Sequence, residues 1–345
     1  MRVLMSTDAV GGVWTYASEL RAELATAGVD VTLATLGPQP PLEPGGRWLD
    51  CRLEWQDDPW DDVRASGEWL REQARAVGAD VVHLNGYAHA ALDWNVPVVT
   101  VAHSCVLSWH EAVRGAPGGA AWARYRDAVA TGLRGADAIV TPTAAMRSAL
   151  RRHYDLTQRC RVIPNGVSAH PLALATRERL VLAAGRLWDE AKGLDTLDAA
   201  AQGLPWPVEV AGAAGGREAR YVRLLGHLQR VALRARMGRA AIFAHPTRYE
   251  PFGLVVLEAA LGGCALVLGD IDSLREQWDG AAVFVKPGDS AALHAALQGL
   301  VDDDPLRSKL ARAARVRAQA RDVGTTAGAY RELYERLCAR RRVTA

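Results

Sequence analysis

Short, nearly continuous apolar runs alternate along this chain with longer stretches in which apolar residues recur every three or four positions. Residues 2–6 (RVLMS) form such a run, long enough for a strand covered on both faces. Residues 16–28 (YASELRAELATAG) follow with helical periodicity, and Gly28 is the stop signal. Strand-like runs recur at 30–36, 80–86, 97–104, 138–143 and 160–167. Between them, 69–79, 122–136 and 144–153 carry the helical period. The alternation then restarts, with runs at 179–187, 207–213, 240–246, 264–270 and 281–287. Residues 168–178 (SAHPLALATRE) have no clear period and read as a linker. Strand–helix alternation of this kind predicts an α/β protein with parallel sheets covered on both faces. The restart predicts two Rossmann-like halves facing a central cleft, with ligands beyond the C-terminal ends of the strands.

Length agrees with this division, since 345 residues suit two domains of roughly 150–170 residues each. Apolar residues make up 49% of the chain, enough for two cores. Forty-one Lys and Arg against thirty-nine Asp and Glu leave a net charge of +2, which gives no global case for nucleic acid or an acidic partner. Five scattered cysteines, with no CxxC among them, read as reduced thiols, and the expected location is cytoplasmic. No run of 18 apolar residues occurs, so no transmembrane segment is expected; peripheral membrane contact stays open. The arginine-rich stretch 305–343 reads as helical with a solvated basic face.

Several constellations could carry chemistry. Gly11 and Gly12 lie between the first strand and its helix, where glycine lets backbone amides approach a phosphate or sugar. They do not form GxGxxG, so a nicotinamide oxidoreductase is disfavoured, and two glycines in a turn are often only a turn. Arg186 and Lys192 follow the first strand of the second half, and two cations at that place suit a diphosphate. In RYEPFGLVVLEAALGGC (248–264), Glu250 sits in a loop at a strand end and Glu258 about one turn into an apolar helix. The amides of Phe252, Gly253 and Leu254 begin that helix and are free to donate to a polar ligand. A carboxylate at Glu258 could accept from two adjacent hydroxyls of a ribose, or pair with a buried arginine. His103 ends a strand of the first half, followed by His110 and Glu111, whose spacing is not that of a metal site. Asp270 and Asp272 could hold a divalent cation on a diphosphate, but read as turn and helix-cap residues; no metal ligands are expected. Eight of the eleven tryptophans precede residue 125, and Trp14, Tyr87 and Trp109 are candidates for an acceptor surface, with core packing an equal explanation.

Taken together, the segments GGVWTYASEL, VAHS, VIPNGV, GRLWDEAKGLDTL, EPFGLVVLEAALGG and GDIDSLRE resemble, in order, those of the retaining GT-B glycosyltransferases of family GT4. The resemblance covers about residues 1–300, and Glu250 with Glu258 reproduces the family's E-x7-E signature. It implies an acceptor domain at 1–168, a nucleotide-sugar domain at 169–325, and a C-terminal helix within 326–345 that returns to the first domain. It implies a nucleotide-diphosphate sugar as donor, no cofactor, and an acceptor that is a glycan, lipid or small molecule. Arg186 and Lys192 match the cations that neutralise the diphosphate, and Glu258 the glutamate on the ribose. Glu250, with the amides of Phe252, Gly253 and Leu254, matches the group near the donor sugar. Gly11 and Gly12 match the loop near diphosphate and acceptor, and His103 the histidine near the reacting sugar. The family chemistry is metal-independent front-face attack, with domain closure excluding water. Ser104 stands where many relatives carry Asp, and the segment from Lys192 to Glu250 is short for the family. A non-catalytic glycan or sugar-nucleotide binder and a GT-B sugar-nucleotide epimerase are the alternatives.

Overall fold

The computed structural model describes residues 1–9, 11–37, 46–168 and 176–344. Most of the expected linker lies outside these residues. The chain divides into two compact units: one comprises the residues up to Ser168 together with those from Val323 onward, the other the chain up to Asp322.

In the first unit, β1 (Arg2–Asp8), α1 (Gly12–Thr26) and β2 (Asp30–Leu36) form the opening β–α–β unit. The chain continues through β3 (Arg47–Leu49), α2 (Trp60–Val77), β4 (Val81–Leu84) and β5 (Val98–Val101). Then come α3 (Val106–Arg114), α4 (Ala123–Gly135), β6 (Ala138–Thr141), α5 (Ala144–Tyr154) and β7 (Cys160–Val162). The seven strands lie in the order β3-β2-β1-β4-β5-β6-β7, all parallel. Every residue of β4 and β5 is buried, as strands covered on both faces must be. The sheet order turns at β1, which is flanked by β2 and β4, so the loops after β1 and β4 leave in opposite directions and open a crevice at their strand ends.

The second unit runs through β8 (Glu178–Ala184), α6 (Leu194–Ala201), β9 (Val208–Ala211), β10 (Arg223–Leu224), α7 (Arg230–Arg239) and β11 (Ala240–His245). It continues with α8 (Leu254–Leu261), β12 (Ala265–Gly269), α9 (Asp272–Trp278), β13 (Ala282–Val285), α10 (Ser290–Asp302) and α11 (Asp304–Gln319). The strand order is β10-β9-β8-β11-β12-β13, again parallel, and it turns between β8 and β11. No helix interrupts the link between β9 and β10.

The last helix, α12 (Val323–Thr344), packs along α1 in the first unit. Its basic residues Arg331, Arg336 and Arg340 are exposed, as the sequence led one to expect, but the helix is not merely solvated. Tyr330 and Tyr334 are completely buried, and Ala327, Leu333 and Leu337 are buried beside them. Thr326 Oγ1 donates to the Pro164 carbonyl at 2.9 Å, fastening the start of the helix to the segment after β7.

Arg177 organises the base of the second unit. Its guanidinium donates to the carbonyls of Met237, Gly238 and Ala240 at 3.0–3.2 Å, and to that of Gly262. These are carbonyls at the ends of α7 and α8, which have no partner inside their own helices. Burial lowers the guanidinium pKa, so the four acceptors are what offset its desolvation. Arg177→Met should therefore lower unfolding free energy by about 3 kcal/mol in urea titrations, with Arg177→Lys recovering less than half, because one ammonium lacks the planar fork. An unchanged midpoint for Arg177→Met would count against this.

Candidate functional site

The loops after β8 and β11 meet where the strand order of the second unit turns. Gly193 follows the 3-10 turn Glu190–Lys192 with φ 68°, and a Cβ there would lie 2.7 Å from the Pro246 carbonyl. Only glycine lets the two loops approach this closely. Thr247 Oγ1 lies 2.6 Å from the Ala191 carbonyl oxygen and 2.9 Å from that of Tyr249, which share its one hydrogen, and the Arg248 amide donates to Ala191 at 2.8 Å. These bonds place Lys192 beside Glu250. The ammonium lies 2.9 Å from Glu250 Oε2, and His245 Nε2 lies 3.1 Å from the same oxygen. Burial alone would raise the Glu250 carboxyl, but the Lys192 charge and the His245 hydrogen bond overcome it and hold the group well below the usual carboxylate range. Burial lowers the His245 imidazole, opposed by its bond to Glu250.

The start of α8 completes this group. Gly253, its N-cap, has φ 91°, and no side chain caps the helix. Among the described residues, none accepts a hydrogen bond from the amides of Phe252, Gly253 or Leu254. Ser273 holds the Glu250 carbonyl and Gln277 Nε2 donates to the Phe252 carbonyl at 2.7 Å, so the loop is fixed while its amides stay unfilled. Arg186 lies after the end of β8, part-exposed, 3.6 Å from Asp189 Oδ2 and 5.5 Å from the centroid of the exposed Trp188 ring. A cation, an ammonium and three unfilled amides together favour a multiply charged oxyanion.

For Glu258, the second of the two arrangements open to it, pairing with arginine, is the one seen. It is buried, and protein groups rather than a ligand already engage it: Oε1 receives Arg230 Nε at 2.8 Å and Arg234 Nε at 3.1 Å, both from α7. A carboxylate shut inside an apolar helix needs cations, and α7 packs where it supplies two. The other oxygen, Oε2, takes no hydrogen bond from a described residue and is not sealed from solvent. Asp270 is gripped by Arg275 through Nε at 2.6 Å and NH2 at 2.8 Å, while Asp272 opens α9 as its first residue rather than capping it.

In the first unit the corresponding turn of strand order places Gly11 and Gly12 after β1, Asn85 after β4 and His103 after β5. Gly11 is the N-cap of α1 with φ 83°, and both glycines are exposed. His103 is half-buried, with Nε2 2.8 Å from Asn85 Oδ1 and the Tyr16 ring edge-on at 4.5 Å. Burial, with a smaller push from His83, takes its pKa down to about 3. Tyr87 is a core residue rather than a surface one: it is buried, and its hydroxyl donates to the Ser104 carbonyl at 2.5 Å. Trp14 and Trp109 are part-exposed, Trp109 with the Arg114 guanidinium 5.7 Å from its ring centroid. Sequence reasoning passed over His245, Arg230, Arg234, Asn85 and His83. A strand-end position, the signal used for His103, also marks His245 and Asn85; nothing local marks the two arginines.

A sequence model described as "Glycosyltransferase Family 4" matches residues 10–170, and one described as "Glycosyl transferases group 1" matches residues 164–317. D-inositol 3-phosphate glycosyltransferase from Xylanimonas cellulosilytica is 31% identical over 97% of this chain and 94% of its own. The chain belongs to the family 4 glycosyltransferases. Glycogen synthase from Mycobacterium tuberculosis is 32% identical over 70% of this chain, and the match spans 65% of that relative's length, less than two thirds. Sucrose-phosphate synthase from Thermosynechococcus elongatus superposes with a TM-score of 0.82 at 21% identity, over 98% of this chain and 99% of the other. An Anabaena protein solved with UDP-glucose gives 0.73 at 20% identity, over 98% and 100%. The fold of this family member is therefore GT-B: two parallel-sheet α/β domains. Among its described residues, no helix is long and apolar enough to cross a membrane.

Three histidines that burial keeps neutral make the first unit of this family member sensitive to acid. Burial takes His83 and His89 down to about 4 and His103 to about 3, against an ordinary 6.5. Between those values the unfolded chain binds more protons than the folded one, so stability is full above the ordinary value and falls as pH drops through this window. By about pH 5 the loss should be roughly 1–2 kcal/mol for each histidine. Urea unfolding across this range checks it; His89→Gln, which keeps a partner for Ser66, should flatten the slope, and a pH-independent midpoint would refute the reading.

Proposed function

We propose that the chain is a hexosyl-transferring enzyme that moves a sugar from a nucleotide-diphosphate donor to an acceptor with retention of configuration. The observation that carries this reading is the grouping of Lys192, Arg186 and the unfilled amides of Phe252, Gly253 and Leu254 where the strand order turns. Breaking the anomeric C–O bond leaves a diphosphate of growing negative charge. Cations and amides fixed before the reaction stabilise that charge without a metal ion, because they need no reorganisation as it forms. Glu250 contributes by pinning the Lys192 ammonium, and its loop would lie near the donor sugar. Glu258 would offer Oε2 to the ribose hydroxyls while Arg230 and Arg234 keep Oε1.

On the first unit, Gly11 and Gly12 would let donor or acceptor come close to the backbone, and His103 would meet the reacting sugar. Trp14 and Trp109 remain the acceptor-side aromatics; Tyr87 is withdrawn from that role by its burial. Retention follows if the acceptor attacks the face the diphosphate leaves, with the departing phosphate oxygen taking the acceptor's proton. No cofactor is needed beyond the donor itself, and the expected location is cytoplasmic. The Anabaena neighbour solved with UDP-glucose supports a nucleotide-sugar donor in general, without naming this chain's base or sugar.

Incubation with UDP-glucose, ADP-glucose and GDP-mannose, with and without EDTA, should release nucleotide diphosphate from at least one donor, independent of EDTA. Lys192→Ala and Arg186→Ala should each lower turnover on the order of a hundredfold. Silence across the panel with sugar acceptors present would sink the transferase reading. EDTA-sensitive turnover would overturn the metal-independent mechanism, and unchanged rates in both variants would remove the diphosphate assignment.

A further inference from the structure

Beside the sugar-transfer reading, the first unit contains a chain of buried polar groups whose hydrogens can be placed one after another. Asn85 follows β4, and chemistry tells its two amide atoms apart. The atom 2.7 Å from the Ser6 carbonyl oxygen faces a group that only accepts, so it is the nitrogen. The other, Oδ1, has no hydrogen to give. It lies 2.8 Å from His103 Nε2 and 3.2 Å from His83 Nε2, so both ring nitrogens carry the hydrogen. Burial keeps both rings neutral, with pKa values of about 3 and about 4, and a neutral ring protonated at Nε2 has a bare Nδ1.

The two bare nitrogens then differ in their surroundings. His83 Nδ1 accepts from the Tyr334 hydroxyl of α12 at 2.5 Å. His103 Nδ1 has no partner among the described residues. Tyr16 stands edge-on to the His103 ring at 4.5 Å, and Tyr330 lies 5.0 Å from the His83 ring, so both imidazoles are held in place by aromatic neighbours. The Asn85 backbone is fixed as well, since its amide donates to Ser6 Oγ at 3.1 Å.

We propose that Asn85 is a positioning residue: it locks His103 in the Nε2–H tautomer, so that Nδ1 is a fixed acceptor for a hydroxyl hydrogen of the sugar substrate. Tyr334 fills the equivalent acceptor on His83 and leaves His103 as the one open to a ligand. The substrate group at this point must donate, so a neutral sugar hydroxyl fits it and a carboxylate or phosphate oxygen does not. The substrate part rests on the transferase reading; the tautomer part stands without it.

Nitrogen-15 NMR of histidine-labelled full chain near neutral pH, without substrate, tests the first part. The expected result is His103 as a single Nε2–H tautomer, with both tautomers in exchange in Asn85→Leu. Tyr334→Phe, which removes one hydroxyl, should shift only His83, and serves also if Asn85→Leu fails to fold. Nδ1–H at His103, or ring shifts unmoved by Asn85→Leu, would overturn the lock; a His83 signal unmoved in Tyr334→Phe would overturn the division between the rings. With a donor from the panel that turns over, Asn85→Leu should lower kcat/KM about tenfold, one hydrogen bond's worth, with unchanged affinity for the free nucleotide diphosphate. Some monodeoxy analogue of that donor's sugar or of the acceptor should cost the native enzyme as much and the variant almost nothing. Equal losses with every analogue, or weaker nucleotide binding in the variant, would overturn the substrate contact. Absence of turnover with any donor would fell the transferase reading while leaving the NMR result to decide the tautomer.

Discussion

A carboxylate largely withdrawn from water must be matched by a cation, and in the second unit Glu250 imposes that demand on its neighbours. The demand is met by Lys192 from the other side of the point where the strand order turns, with His245 sharing the same oxygen. One ion pair therefore joins the loop after β8 to the loop after β11 and fixes an ammonium in place before any ligand arrives. The close approach at Gly193 and the hydroxyl of Thr247 are the backbone conditions for that pair to form. The unfilled amides at the start of α8 lie on the same loop, so the positive features of this site depend on one another rather than acting singly.

Glu258 shows the same rule with a different outcome. Its cations come from α7 and engage one oxygen, leaving the second for another donor. A carboxylate pinned through one oxygen is held in its aim while its second oxygen retains capacity to bind. In the first unit a neutral amide between two neutral rings performs the orienting at the turn of strand order. Charge is held on one unit, and directed lone pairs on the other.

Much of this was legible in the chain. Valine-rich runs such as 80–86 and 97–104 are long and apolar because β4 and β5 are buried on both faces, and that pattern survives any detail of packing. The positions of Lys192, Glu250 and Glu258 followed from their placement at strand ends and helix starts. What stayed hidden depends on partners distant in sequence. Arg230 and Arg234 sit in α7, a helix with little periodic pattern, and only tertiary packing makes them the partners of Glu258. The three residues of β3 and the two of β10 are too short to leave a run. For Tyr87, acceptor surface and core packing were equal readings of an aromatic residue; burial and a carbonyl of the loop after β5 decide for the core. His83 lies inside a buried strand, where its neighbours gave no sign that a tyrosine 251 positions away would complete its hydrogen bonding.

That long separation bears on how the chain is made. Tyr330 and Tyr334 fill space in the first unit, yet they are reached only after the whole of the second unit has been traversed. The second unit is continuous in sequence and can close its core as soon as it has left the ribosome. The first begins earlier and finishes later, waiting with an open face along α1 until α12 emerges. Vectorial synthesis normally favours the leading domain. Here the order of completion is reversed, and the half that holds His103 acquires its final shape last.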